Sequence, residues 1–409
     1  MVWSLEIHHI DIGQGDSTLI VAEDDGVGMG HVAQVRAALV DGGTFVKGTD
    51  VHAYVTGLGL ASVDVIVTTH YDVDHFGGLR RVLLENTTVY DNANIFDQGE
   101  PGSISVKRAR NGGYIESITG REQSHQLYLN AIASRGARAR VTARVASNQP
   151  SALAHLAGWQ DPDWLLGREL LWHNVVQPGG APTITCIAAN QYVDGRGGPH
   201  ASGLAVDPKN EKSLALLVQF GNFRYYLGGD LESTQEAQVA IRLNPANNAA
   251  GRVLAMKVSH HGSDRSTSQP FLNRLRPSAA FISCGINNIH YHPRPIVLNQ
   301  LQLCGTLQHY YMTEDRSDAA YYTRVGDVGT GTAPNLGGAY TAKAVVAGAW
   351  GAPYDAAPGG PQEGHIVLSV DAVQSQRVVT GPLLVGDRFT VSCSSADSLA
   401  AGAVVNGHL

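Results

Sequence analysis

The sequence predicts an α/β fold whose strands end on one metal-capable rim. Three observations predict it. Apolar, β-branched runs alternate with helix-like segments, the pattern of strands packed under helices. Four of these runs end in Asp or His: Asp41; His70, Asp72, Asp74 and His75; Asp230; and His260 with His261. His292 follows a fifth run. Open α/β sheets usually carry their chemistry outside the C-terminal ends of their strands.

The elements follow in order. Ser4 to Val21 reads as two short strands around Asp11-Ile12-Gly13-Gln14-Gly15-Asp16, where Gly-x-Gly permits a tight turn. Ala37–Val40 is a strand ending at Asp41-Gly42-Gly43, and Thr49 to Leu58 is a short helix. Val63–Thr68 is a buried strand. It leads into Thr69-His70-Tyr71-Asp72-Val73-Asp74-His75-Phe76-Gly77-Gly78, read as a turn, with a helix from Leu79 to Glu85. Residues from about 90 to 200 are first basic, then rich in Pro, Gly and Asn. They read as an extended insertion whose loops cap the site, with a helix at Gln123–Ser134 and a strand at Thr183–Ile187. Ser213–Phe220 and Phe223–Leu227 flank Gly221-Asn222, a hairpin signal, and the second strand ends in Gly228-Gly229-Asp230. A helix at Ser233–Leu243 precedes the strand Val253–Val258, which ends in Ser259-His260-His261-Gly262-Ser263. A helix at Gln269–Leu275, a strand at Ala279–Ser283 and a helix at Pro295–Cys304 complete a catalytic domain of residues 1–317. Strand signals at His365–Val370 and Arg388–Ser392 mark residues 318–409 as a β-rich C-terminal appendage.

Composition bounds the function. Of 409 residues, 43% are hydrophobic and 16% charged, enough for a sizeable core. No apolar run reaches the length of a membrane span, and the first residues show no secretory pattern, so a cytoplasmic protein without membrane contact is expected. The four cysteines are far apart and read as reduced thiols. The net charge of −7 argues against nonspecific wrapping of nucleic acid. Locally, Lys107 to Arg144 holds eight basic residues against Glu116 and Glu122. That stretch reads first as a solvated helix face and second as a phosphate-binding face.

Imidazole and carboxylate together suit zinc, manganese or iron. Two ions about 3.5–4 Å apart need a bridging carboxylate with ligands on each side, and this chain offers such a set.

The His70-x-Asp72-x-Asp74-His75 motif followed by Gly77-Gly78 resembles the signature of the metallo-β-lactamase fold. The match is best with the soluble hydrolase domain of DNA-uptake proteins of the ComEC/Rec2 type. Asp11–Ser17, Gly228–Asp230, Ser259–Ser263, Ser283–Asn288 and His292-Pro293 resemble the same subfamily. The resemblance covers about residues 4 to 315. It implies a four-layer αββα sandwich with two divalent ions, Zn or Mn, at one edge. By the same resemblance His70 and Asp72 bind the first ion, and Asp74, His75 and one of His260 and His261 the second. Asp230 bridges them, and Asp41 stands behind the ligands as an acceptor. Of the histidine pair, His260 is taken as the ligand and His261 as the spare member.

One departure matters. Most enzymes of the fold supply a further His to the first ion, between the second motif and the bridging Asp. Here that stretch is Asn210-Glu211-Lys212-Ser213, with Asn210 expected near the site. His125, His155, His173 and His200 are alternatives in weakly patterned sequence. The first site is therefore expected to bind weakly.

The chemistry expected is hydrolysis by hydroxide held between the ions. Asp74 orients it, and His261 or His292 protonates the leaving oxygen. A phosphodiester, in a nucleic acid or another anionic substrate, is the expected target. The alternatives are a small-molecule ester, phosphocholine ester or lactone on the same site, or a regulatory module with a degenerate site.

Overall fold

The computed structural model describes residues 2–26, 33–99, 116–135, 140–142, 165–196, 210–243, 252–285, 290, 292–314, 343–346, 364–376, 389–395 and 405–408. In chain order β1 (Trp3–His9), β2 (Thr18–Asp24), β3 (Gln34–Val40), β4 (Val65–Val67), β5 (Asn94–Asp97) and β6 (Arg140–Thr142) lie in one sheet. β7 (Thr183–Ala189), β8 (Tyr192–Val193), β9 (Ala215–Phe220), β10 (Phe223–Leu227), β11 (Ala255–Lys257), β12 (Ala279–Ile282), β13 (His309–Met312) and β14 (Ala344–Val346) form the second. β15 (Gly364–Val370), β16 (Thr390–Ser395) and β17 (Val405–His408) return to the first, beside β1.

Helices cover both outer faces. α1 (Gly48–Gly57), α2 (Val73–Leu84) and α3 (Glu116–Ser134) lie against the first sheet. α4 (Ser233–Leu243), α5 (Gln269–Leu275) and α6 (Pro295–Leu303) lie against the second, and α7 (Ala372–Gln376) follows β15. Between the sheets sits an apolar core that includes Leu5, Ile7, Val65, Val67, Leu216, Tyr225 and Phe281. The result is the four-layer αββα sandwich.

The topology explains why the polar clusters converge. β3 and β4 are parallel, so Asp41 and His70 leave the first sheet at the same edge. β10, β11 and β12 are parallel, so Asp230, the His260-His261 pair and the chain towards His292 leave the second sheet together. Asp16 precedes β2, which runs antiparallel to β3, and so reaches that edge too.

Three local expectations change. α2 starts at Val73, not Leu79. Its N-cap is Asp72, whose side chain does not cap the helix, and Asp74 and His75 occupy the first turn. The Gly-Gly pair serves this docking: a Cβ on Gly78 would lie 1.6 Å from the Gly42 carbonyl oxygen. The described parts of residues 90–200 are framework, because β5 and β6 extend the first sheet and β7 and β8 edge the second. Likewise the β-rich C-terminal stretch is joined to the sandwich, with β15 antiparallel to β1 and β14 parallel to β13. The sequence could not show these pairings, since none joins neighbouring segments and the β15–β1 partners lie hundreds of residues apart.

Of the basic stretch, Arg135 is neither solvated nor phosphate-facing. It donates to the carbonyls of Leu83, Glu85 and Thr87 and pairs with Asp91 at 3.0 Å, closing the C-terminal end of α2. The side chains of the other seven basic residues lie outside the described residues.

Candidate metal centre

Asp230 is the hub. It follows β10 at the sheet edge, 3% exposed, and its amide donates to Ser213 Oγ at 3.2 Å. Its two oxygens face different partners. Oδ2 lies 3.5 Å from His70 Nε2 and 3.6 Å from His260 Nε2. Oδ1 lies 3.3 Å from His75 Nε2 and 3.7 Å from His261 Nε2. Asp72 Oδ2 stands on the His70 side at 4.0 Å, and Asp74 Oδ2 on the His261 side at 3.6 Å. One half-site thus gathers His70, Asp72, His260 and Oδ2, and the other Asp74, His75, His261 and Oδ1.

The rings are aimed from behind. Asp41 Oδ2 accepts from His75 Nδ1 at 2.8 Å and from Thr69 Oγ1 at 2.6 Å, while Oδ1 accepts from the Thr69 amide. Thr69 Oγ1 spends its proton on Asp41, so it accepts from His70 Nδ1 at 3.1 Å. His261 Nδ1 faces the Ser283 carbonyl at 3.0 Å. These partners set the protons of all three rings on Nδ1 and leave Nε2 as a lone pair towards Asp230. The turn carrying the pair holds His260 and His261 at φ 52, a left-handed backbone unusual outside glycine and typical of functional sites.

This arrangement requires a cation. His75 Nε2 and His261 Nε2 lie 3.2 Å apart, and two lone pairs at that distance repel unless something positive lies between them. In the metal-free protein a proton does so. Burial alone pushes both rings down, yet Asp230 and Asp41 raise His75 well above its ordinary range. Asp16 and Asp230 likewise raise His261 against its burial. Conversely burial, with His75, lowers His70, and burial lowers His260. Four imidazoles hold Asp230 well below the usual carboxylate range, against its own burial.

A divalent ion fits the same place. His70 Nε2 and Asp230 Oδ1 are buried without a hydrogen-bond partner among the described residues. A tetrahedral zinc site with bonds of about 2.0–2.1 Å has donor–donor edges of about 3.3 Å. The Asp74/His75/His261 half-site shows edges of 3.2 to 3.7 Å, and the His70/His260 half-site looser ones of 3.5 to 4.0 Å.

Asp16 was not singled out as a site residue by the sequence. With His75, Asp230 and His261 it offers atoms within 4.8 Å of one another. It nevertheless stands behind the rings: it faces His261 Nδ1 at 3.3 Å and His75 Nδ1 at 3.7 Å, and Lys257 Nζ holds it at 2.5 Å. Lys257, 1% exposed at the end of β11, was missed as well. A charged residue closing an apolar strand was the one signal available for it.

Other expected residues fall as follows. Asn210 is buried in a short 3-10 turn, its Nδ2 3.3–3.4 Å from both ring nitrogens of His260. His292 is near both members of the pair, its ring centroid 5.2 Å from that of His260. Burial and those two neighbours push it down to about 2, so it is a neutral ring. His125 packs on Tyr71 and His173 on Phe96, and His155 and His200 lie outside the described residues. Over the cluster opens a cavity of about 640 Å³, which Gln14, Ser263, Arg265, His290 and Arg294 also line.

The chain's four-layer sandwich with its rim cluster is the architecture of the metallo-β-lactamase fold. Residues 12–89 match the Metallo-beta-lactamase superfamily. Among curated proteins it is similar to ComE operon protein 3 of Bacillus subtilis, 43% identical over 100 residues, which are 24% of this chain and 12% of that protein. Recombination protein 2 of Haemophilus influenzae is 35% identical over 92 residues, 22% of this chain and 11% of that one. The matched stretch thus spans about an eighth of each relative's length. Among solved structures, the metallo-beta-lactamase fold protein YhfI from Bacillus subtilis aligns over 72% of this chain and 92% of its own, at 9% identity and a TM-score of 0.35.

Proposed function

We propose that this chain is a two-ion hydrolase of phosphodiester bonds, a nuclease or phosphodiesterase. The observation that carries the reading is the split of Asp230, whose two oxygens serve two histidine-lined half-sites. In it His70, Asp72 and His260 would hold the first ion, Asp74, His75 and His261 the second, and Asp230 would serve both. His260 thus takes the place of the missing third ligand, which weakens the case for a degenerate module. Both members of the histidine pair are then ligands, so His261 is no longer spare.

Bound there, zinc or manganese would supply hydroxide at neutral pH and draw off phosphoryl charge. Each half-site offers two imidazoles and two carboxylates, a donor set that suits zinc or manganese. The protein's own groups do the rest. Asp74, 24% exposed at the start of α2, faces the cavity and orients the attacking water. His292 stays neutral and donates a hydrogen bond that orients the leaving oxygen, not a full proton. Arg265 and Arg294 bring positive charge to the cavity wall, which suits an anionic diester over a neutral ester. The name of one relative, Recombination protein 2, is in keeping with a nucleic acid as the diester.

The test is hydrolysis of bis(p-nitrophenyl) phosphate and single-stranded DNA by protein loaded with zinc or manganese. Turnover should require metal and vanish in Asp74→Ala and in Asp230→Asn, with bound metal measured alongside. Loaded protein that turns over neither substrate refutes the proposal.

A further inference from the structure

We infer that Gln14 forms an oxyanion contact of the cavity, its amide donating to a phosphoryl oxygen held at the ion centre. The inference rests on the phosphodiester reading and deepens it. Gln14 belongs to the Asp11–Asp16 turn, which no step above uses. It lines the cavity with Asp72, Asp74 and Asp230. Both atoms of its carboxamide are shielded, and neither meets a hydrogen-bond partner among the described residues. An amide left so is costly unless something else binds it.

The backbone that carries this side chain is closely packed. Gly13 and Gly15, at φ +70 and +131, let the turn reverse on both sides of it. A Cβ on Gly15 would lie 2.4 Å from the Asp74 carbonyl oxygen, to which the Asp16 amide donates at 3.0 Å. On the other side a Cβ on Gly285 would lie 2.2 Å from the Gln14 nitrogen. The backbone of the turn is therefore held between the first turn of α2 and the loop after β12, which fixes where the Gln14 side chain starts.

Its chemistry selects the ligand. A carboxylate at this position would compete for the ions and repel an anion. A neutral carboxamide presents N–H to an anionic oxygen and leaves the ions with their histidines and aspartates. Arg294 faces the same cavity from the N-cap of α6, its Nε buried and without a hydrogen-bond partner among the described residues. Inorganic phosphate, as the terminal fragment of any phosphoester, is the simplest probe of this contact.

The experiment measures inorganic phosphate affinity of the metal-loaded protein by calorimetry, with bound metal and Tm recorded for each variant. Gln14→Ala should weaken phosphate binding by about tenfold or more, the share of one hydrogen bond to a charged group, with metal content unchanged. Gln14→Glu, which keeps the shape, should weaken it at least as much, and it carries the test if the alanine variant does not fold. Binding within about twofold of wild type in a variant with full metal content overturns the inference. Diester turnover by the wild type is scored separately. Without turnover, Gln14-dependent phosphate binding still supports the contact while the hydrolase reading falls. Turnover with Gln14-independent binding removes the contact alone.

Discussion

Lys257→Met tests the buried charge pair behind the second half-site. Lys257 Nζ lies 2.5 Å from Asp16 Oδ2, and the two side chains are 1% and 3% exposed. At that separation, with an effective dielectric near 20, the attraction is about 7 kcal/mol. Burying both charges consumes part of it, and truncating one partner of such a pair costs about 3–5 kcal/mol, here at the lower end because the His261 and His75 rings still face Asp16. Urea unfolding of the metal-free protein at neutral pH should show a loss of that size. The double variant Asp16→Asn/Lys257→Met removes both charges and should recover most of it. The pH dependence has a definite sign. Lys257, His261 and His75 depress Asp16 against its burial, so its contribution is present above its unfolded range and lost as pH falls. The deficit of Lys257→Met should therefore shrink in acid, where Asp16 gains a proton. A loss below about 1 kcal/mol, or a double variant no better than the single one, refutes the reasoning.

Asp41→Ala removes the acceptor of His75 and Thr69 together, and ion affinity in chelator competition should fall about 10- to 100-fold; unchanged affinity would show that the rings aim themselves. His75 carries a raised proton affinity in the metal-free protein, so its stabilising share is complete below pH 6.5 and is lost as pH rises through its folded pKa. Metal uptake should release that proton, seen as a buffer-dependent heat in calorimetry, and a heat independent of buffer would contradict the assignment. Arg135→Ala strips the donor from three carbonyls at the end of α2 and should cost about 2–3 kcal/mol in denaturant unfolding with ion affinity intact. A parallel fall in ion affinity would mean that α2 loosens as a whole.

The candidate site was legible where metal-capable residues cluster in sequence, and less so where they are paired by the fold. His70 to His75 is dense enough to read alone, and strand ends give Asp41, Asp230 and the His260-His261 turn. What sequence could not decide was the division of labour, because that depends on which oxygen of Asp230 each ring faces. The sequence left open which of His260 and His261 is the ligand. Their left-handed backbone places the two rings on opposite oxygens of one carboxylate. Asp16, Lys257 and Gln14 were hidden for a related reason. Each sits in a short polar turn or at a strand end with no periodic pattern of its own, and its role appears only when the edges of the two sheets meet. The same limit applies to the fold. Amphipathic helices such as Ser233–Leu243 and the Gly221-Asn222 hairpin are local and read directly. The pairing of β15 with β1 spans the whole chain and is fixed by burial between the sheets, which no local pattern records.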